Sequence, residues 1–292
     1  MHFERIAIVG LGLIGGSFAL AARRAGIARK ITGFDTSDAI EHALAHNIID
    51  EAEDSFDGGR VSDADLVYLA TPVCAIIDFL RTRAGQIKPG AIVTDAGSTK
   101  REICRAARES LSPGIHFIGG HPMAGSHKTG VENASADIFN NAPYALVTDI
   151  ADETMGQDFS KSLNTMIDVV GKIGSRPIIT TPDRHDRIVA RVSHAPQLLS
   201  TALAVAIAKG SEQEVRELTG TGFADMTRLA ASSWAVWEDV CKTNADEIRG
   251  ALDEIIMELE TMRAALAEGR LSTLRSAFEE ANNFSRNRVR RT

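Results

Sequence analysis

The sequence predicts an α/β chain: a doubly wound, mostly parallel sheet over residues 1–180, followed by an all-helical region over 181–292. Three observations carry this. Short runs that are apolar at nearly every position alternate with helical stretches through the first 180 residues. A glycine-rich turn joins the first such run to the first helical stretch. Beyond Pro182 no strand-like run remains, and alanine, leucine, glutamate and arginine dominate.

The apolar runs are "RIAIVG" (5–10), "KITGFD" (30–35), "DLVYLA" (65–70), "AIVTDAG" (91–97), "HFIGG" (116–120), "YALVTD" (144–149) and "RPIITT" (176–181). A strand covered by helices on both faces has no solvent side, so it loses the polar alternation of a half-exposed strand. Between the runs, Ser17 to Ala25 and Ala75 to Ala84 carry helical spacing. The stretch "DRHDRIVARVSHAPQLLSTALAVAIAKG" (183–210) reads as one long helical pattern, apolar nearly all round in its second half. Such a face predicts burial in more than one helix layer or against a second subunit. "NADEIRGALDEIIMELETMRAALAEG" (244–269) predicts another helix with Gly269 as its stop, and "STLRSAFEEANNFSRNRV" a last one.

Composition excludes several classes of function. The chain has 292 residues, 44% of them hydrophobic, enough for a sizeable core and about two domains. No apolar run reaches the roughly 18 residues a membrane span needs. The net charge of −7 and the lack of a basic stripe in the body of the chain argue against nucleic acid. The basic tail "RNRVRR" reads as a solvated chain end. Cys74, Cys104 and Cys241 have neither zinc nor disulfide spacing, so reduced thiols are expected. The N-terminus has no signal-peptide layout, and a cytoplasmic location is the expectation.

"VGLGLIGG" supplies Gly10, Gly12 and Gly15 as G-x-G-x-x-G, directly after a predicted strand and opening a predicted helix. The first glycine permits the tight turn, the second lets backbone approach a pyrophosphate, and the third lets helix pack on strand. Leu13 and Ile14 begin the helix, whose unpaired N–H groups face the anion. Asp35 ends the second strand, twenty residues past Gly15, where a carboxylate bonds ribose hydroxyls and repels a 2′-phosphate. The pattern therefore predicts a Rossmann-like domain that binds NAD. Thr71 and Pro72 end the next strand where the other half of the cofactor would lie. Ser98 and Thr99 in "DAGSTK" either serve the site or simply cap a helix.

"GGHPMAGSHKTG" (119–130) holds two histidines and a lysine among four glycines and reads as neither helix core nor half-buried strand. It follows a predicted strand, so it lies at the carboxyl edge of the sheet. A dehydrogenase must take the proton of, or hold, a hydroxyl on the carbon that gives up hydride, and a neutral imidazole does that near pH 7. Pro122 holds His121 extended. His121 is therefore the candidate base. Lys100 and Lys128 could assist electrostatically or simply be solvated.

Taken together, "IVGLGLIGGS", "DAGSTK", "GGHPMAGSHKTGVENA", "VSHAPQLLS" and "GFADMTRLA" with its following tryptophan resemble the prephenate/arogenate dehydrogenase family of tyrosine biosynthesis, from residue 4 to about 270. The resemblance implies NAD-dependent oxidative decarboxylation of a cyclohexadiene bearing a ring hydroxyl and a ring carboxylate. It implies His121 as acceptor of the hydroxyl proton, with Ser98 beside it, and Arg228 as the cation for the anionic substrate. Ser126, His127, His194, Gln197 and Trp237 join the implied substrate set, and a homodimer through the helical region is implied, with the active site between the two domains. Arg228 could instead pair with Asp225, and His194 and Trp237 could be core residues.

The sequence also departs from the family. Gln197 stands where many members have a second histidine, which leaves prephenate against arogenate open. His127 stands where some have glutamate, and "SSWAVW" lacks the aspartate-proline step often seen before the tryptophan. With 292 residues there is no room for the regulatory or mutase domains that some members carry, so any tyrosine feedback is expected at the active site. Rival readings are a β-hydroxyacid or imine reductase, which typically uses a helical lysine, and a non-catalytic NAD sensor.

Overall fold

The computed structural model describes residues 2–53, 61–125, 128–149, 156–209 and 217–289. The chain divides into two units, Met1–Ala245 and Asp246–Thr292. The first opens on a six-stranded, all-parallel sheet: β1 (Phe3–Val9), β2 (Ala28–Phe34), β3 (Glu51–Ala52), β4 (Leu66–Leu69), β5 (Ile92–Asp95) and β6 (His116–Phe117). Their spatial order is β3-β2-β1-β4-β5-β6. The order reverses direction at β1, so the crevice between the carboxyl ends of β1 and β4 is where such sheets bind ligands.

The crossovers are α1 (Leu13–Arg24), α2 (Ser37–Ala45), α3 (Val73–Arg83) and α4 (Arg101–Ser110). The double winding is visible strand by strand. Ile6, Ile8, Leu66 and Tyr68 enter one apolar core with Phe18, while Ala7, Val9, Val67 and Leu69 enter a second core with Ile76 and Leu80. Successive side chains point to opposite faces, so a strand with a core on each side must be apolar throughout. Fully burying each of the larger side chains stabilises the fold by about 1.5–3 kcal/mol. Tyr68 stacks on Phe18 with ring centroids 3.8 Å apart.

The run "HFIGG" does not form one strand. The Ile118 N–H completes the β5 ladder on the Val93 carbonyl at 2.9 Å. The Asp95 carboxylate then takes the Gly120 N–H at 3.0 Å. The chain leaves the sheet there and starts β7 (Gly119–Pro122), which pairs antiparallel with β8 (Pro143–Val147). β8 in turn pairs parallel with β9 (Arg176–Thr180), after α5 (Gln157–Lys172). The first residues of the glycine-rich histidine stretch are thus a strand after all. Glycine makes it possible, because a Cβ on Gly120 would lie 2.2 Å from the Asp95 carbonyl oxygen.

Beyond β9 every described element is helical. α6 (Pro182–Val189) runs through a π-helical turn, Ala190–His194, into α7 (Ala195–Ala208). Pro196 lacks the N–H that an unbroken α-helix would need there, which accounts for the widened turn. The second half of α7 is not buried within the chain, as Val205 and Ile207 are exposed. α8 (Thr221–Thr227), a 3-10 turn Arg228–Ala231 and α9 (Trp234–Thr243) follow. α10 (Ala245–Ala267), which starts on the last residue of the first unit, and α11 (Leu271–Val289) make up the described part of the second unit. Gly269, at φ +69°, ends α10 in the left-handed conformation predicted for its stop. No helix of the described residues is long and apolar enough to cross a membrane.

Candidate active site

The three fingerprint glycines have separate reasons to be glycine. Gly10 has φ +94°, and a Cβ there would lie 2.7 Å from the Ala70 backbone. A Cβ on Gly15 would lie 1.8 Å from the Gly10 carbonyl oxygen. Packing therefore explains both. Gly12 is different: a Cβ there meets no atom within 4 Å. Gly12 is the residue that caps α1, whose N-terminus has no side-chain cap and no acidic residue in its first turn. Half-buried Leu13 and Ile14 begin that helix, leaving N–H groups for an anion.

Two further features fit a dinucleotide. The Thr71 Oγ1, just past the end of β4, is buried with no hydrogen-bond partner among the described residues, and the exposed Pro72 follows it as the residue before α3. A cavity of about 490 Å³ is lined by Leu11, Gly12, Asp35, Thr36, Asp38 and His42, among others. Asp35 is held rigidly, one oxygen accepting the Leu11 N–H at 2.5 Å and the other the Thr36 N–H at 2.6 Å. With Asp38 and Glu132 on the same wall, the cavity opposes an added phosphate. Asp35→Ser should lower the NAD-over-NADP ratio of kcat/KM by about tenfold or more. An unchanged ratio would remove Asp35 from the ribose end.

The other half of the site is built around Asp95, at the carboxyl end of β5. Its carboxylate accepts the Gly97 N–H at 2.8 Å and the Gly120 N–H, and forms a fully buried ion pair with Lys100. Lys100 is thus neither solvated nor directed at a ligand; it neutralises Asp95. The pair ties the loop carrying Ser98, itself half-buried, to the strand carrying His121.

His121 is half-buried on β7, and its Nδ1 lies 2.8 Å from His185 Nε2. His185 Nδ1 lies 2.7 Å from Asp186 Oδ1. Asp186 also accepts the backbone N–H groups of Lys100 at 2.7 Å and Arg101 at 2.9 Å. Burial, with repulsion from His185, Lys100 and His194, holds His121 well below the ordinary histidine value. It is therefore neutral near pH 7 and able to accept a proton. Burial would raise the Asp186 carboxyl, but the His185 hydrogen bond and the backbone donors outweigh it, and its value lies below the usual one. The sequence alone does not single out His185 and Asp186. Its only signal is their adjacency in "PDRHDR", at the start of a helix.

His194 joins this network from the π-helical turn. Its Nδ1 lies 3.3 Å from Asn244 Nδ2, which also donates to the Asp186 carbonyl at 2.9 Å. Burial pushes His194 down to about 4. Trp237 is half-buried and meets the His194 ring edge-on at 5.9 Å. Gln197 is buried on the next turn, donating to the Leu229 carbonyl at 2.7 Å and accepting from the Ser232 hydroxyl at 3.2 Å. Its amide thus braces the 3-10 turn that Arg228 opens. Arg228 is exposed, and among the described residues no ion pair with Asp225 forms. Ser126 and His127 lie outside the described residues. Also among the described residues, no group of three metal-ligating side chains is present.

Comparison with known proteins agrees with this architecture. Residues 18–179 match the family model of the prephenate dehydrogenase nucleotide-binding domain, and residues 181–280 that of the prephenate dehydrogenase dimerization domain. The chain is 35% identical to the prephenate dehydrogenase of Bacillus subtilis over 289 residues, covering 96% of this chain and 75% of that protein. The fold superposes on prephenate dehydrogenase from Aquifex aeolicus, solved with hydroxyphenyl propionate and NAD+, with a TM-score of 0.87, 28% identity and 97% of each chain covered. It also superposes on Synechocystis arogenate dehydrogenase, with a TM-score of 0.80, 28% identity, and 96% and 98% of the two chains covered. The chain belongs to the prephenate dehydrogenase family.

Proposed function

We propose that the chain catalyses NAD-dependent oxidative decarboxylation of prephenate to 4-hydroxyphenylpyruvate, of arogenate to tyrosine, or of both, with release of CO2. The observation that carries the reading is a neutral His121 on the strand bonded to the end of β5, in a chain whose Gly12 and Thr71 leave room and hydrogen-bonding capacity for a dinucleotide. Bound NAD supplies the hydride acceptor.

In this reading His121 accepts the proton of the ring hydroxyl as its carbon becomes carbonyl-like. Ser98, on the loop tied to the same strand through Asp95, hydrogen-bonds the same oxygen. Arg228 binds a substrate carboxylate, and Ser126 and His127 belong to the substrate-binding set. His194 and Trp237 form a wall of the pocket, and Gln197 acts through the Arg228 turn it braces. The departing carboxylate is best left weakly held, because stabilising it in the ground state would raise the barrier.

The reading extends to a cytoplasmic homodimer in which 1–180 binds the cofactor and 181–292 serves the substrate and dimerisation. The family model over 181–280 is a dimerization domain, and Ile256, Met257, Leu259, Phe278 and Phe284 leave apolar surface on α10 and α11. Cys74, Cys104 and Cys241 are unpaired, which suits a reducing compartment. The test is absorbance at the reduced-nicotinamide band on mixing with NAD and either prephenate or arogenate. At least one substrate should give reduced cofactor and CO2 in equal amounts. Silence with both would overturn the proposal.

A further inference from the structure

We propose that Asp186, His185 and His121 form a carboxylate–imidazole–imidazole chain that fixes which nitrogen of His121 carries the proton and which serves as the base. His185 and Asp186 are then positioning residues. The inference rests on the reading of His121 as the proton acceptor.

The buried end of the chain sets the proton positions of the rest. Asp186 is fully buried and faces donors on every side: the backbone N–H groups of Lys100 and Arg101, the Arg101 Nε at 3.4 Å, and His185 Nδ1. An ionised carboxylate can only accept. His185 Nδ1 must therefore carry a hydrogen. His185 is itself buried, and burial lowers it below the ordinary histidine value, so its ring is neutral and its Nε2 is a bare acceptor. The 2.8 Å contact then requires His121 Nδ1 to donate, which leaves His121 Nε2 with the lone pair. Each proton position follows from the previous one.

Among the described residues, the other charged or titratable groups facing these rings are Lys100, Asp95 and His194. Lys100 and Asp95 neutralise each other in their buried pair. His194 is held neutral by burial. When Nε2 takes the substrate's hydroxyl proton, the positive charge is spread over a ring whose Nδ1–H already donates to His185. The His185 Nδ1–H stays on Asp186, so the carboxylate stabilises the imidazolium without taking its proton.

The decisive measurement is the tautomer of His121, read from imidazole ¹⁵N shifts in ¹⁵N-histidine-labelled protein and assigned by the resonance lost in His121→Asn. The expected result is neutral imidazole protonated at Nδ1 at pH 7, moving towards the Nε2–H form in Asp186→Asn. In parallel, Asp186→Asn should lower kcat about a hundredfold or more while KM for prephenate stays within about threefold. His185→Gln, whose amide oxygen can still accept from Nδ1, should retain more turnover than His185→Phe. An Nε2–H tautomer in the unmodified protein overturns the chain, even if the Asp186 and His185 variants misfold. So does loss of turnover in His121→Asn with near-normal turnover in Asp186→Asn and His185→Phe. Full turnover in His121→Asn overturns the base assignment itself, and the chain with it.

Discussion

Asparagine at position 121 should cut turnover by about two to four orders of magnitude while leaving NAD affinity nearly unchanged. The size follows from what is removed. Asparagine keeps a side chain of similar polarity on β7 but offers no lone pair basic enough to take the hydroxyl proton in the transition state. In the proposed reading, NAD affinity rests on parts that do not include His121: the Gly12 approach, the α1 N-terminus, Asp35 and Thr71. The burial of His121 also sets the pH dependence of the unmodified enzyme. It lowers the His121 value, so the base remains neutral below the ordinary histidine range. The acid limb of kcat/KM, which reports the free enzyme, should therefore lie below pH 6.5. Stopped-flow turnover and NAD titration of the variant check the first claim. Turnover within tenfold of the parent would end it.

Arg228→Ala should raise KM for the substrate about ten- to a hundredfold with a much smaller loss in kcat. A hydrogen bond to a charged group contributes about 1.5–3 kcal/mol, and each 1.4 kcal/mol is a factor of ten. The guanidinium is exposed, opens the turn braced by Gln197, and forms no pair with Asp225 among the described residues. It is therefore available to a carboxylate distant from the reacting carbon. Binding made equally in ground and transition states appears in KM rather than kcat. Steady-state kinetics over a wide substrate range separates the two. An unchanged KM would exclude Arg228 from the substrate site.

The parallel sheet and its fingerprint are legible in the sequence because both are local. A run such as "RIAIVG" declares burial on two faces, and glycine spacing declares the turn that follows it. Features set by tertiary contacts are hidden. The two-residue β3 is too short to carry any periodicity. The break between β6 and β7 depends on Asp95, twenty-five residues before Gly120, taking that N–H. Lys100 reads as a solvated lysine because its partner is Asp95, which reads as an ordinary strand end. The amide of Gln197 reads as free to meet a ligand, but a turn thirty-two residues later uses it. The largest omission is His185 and Asp186. His185 meets His121, and Asp186 meets His185 and the start of α4, only because α6 packs beside β7 and α4, a juxtaposition that no periodicity encodes.

Everything proposed for the chemistry requires His121 and Arg228 to act on one substrate beside one cofactor. A crystal structure of the chain with NAD and 4-hydroxyphenylpyruvate decides this. The phenolic oxygen should lie about 3 Å from His121 Nε2, with the product's carboxylate on the Arg228 guanidinium. A product whose ring oxygen lies away from His121, or whose carboxylate is held by another cation, would refute the shared site.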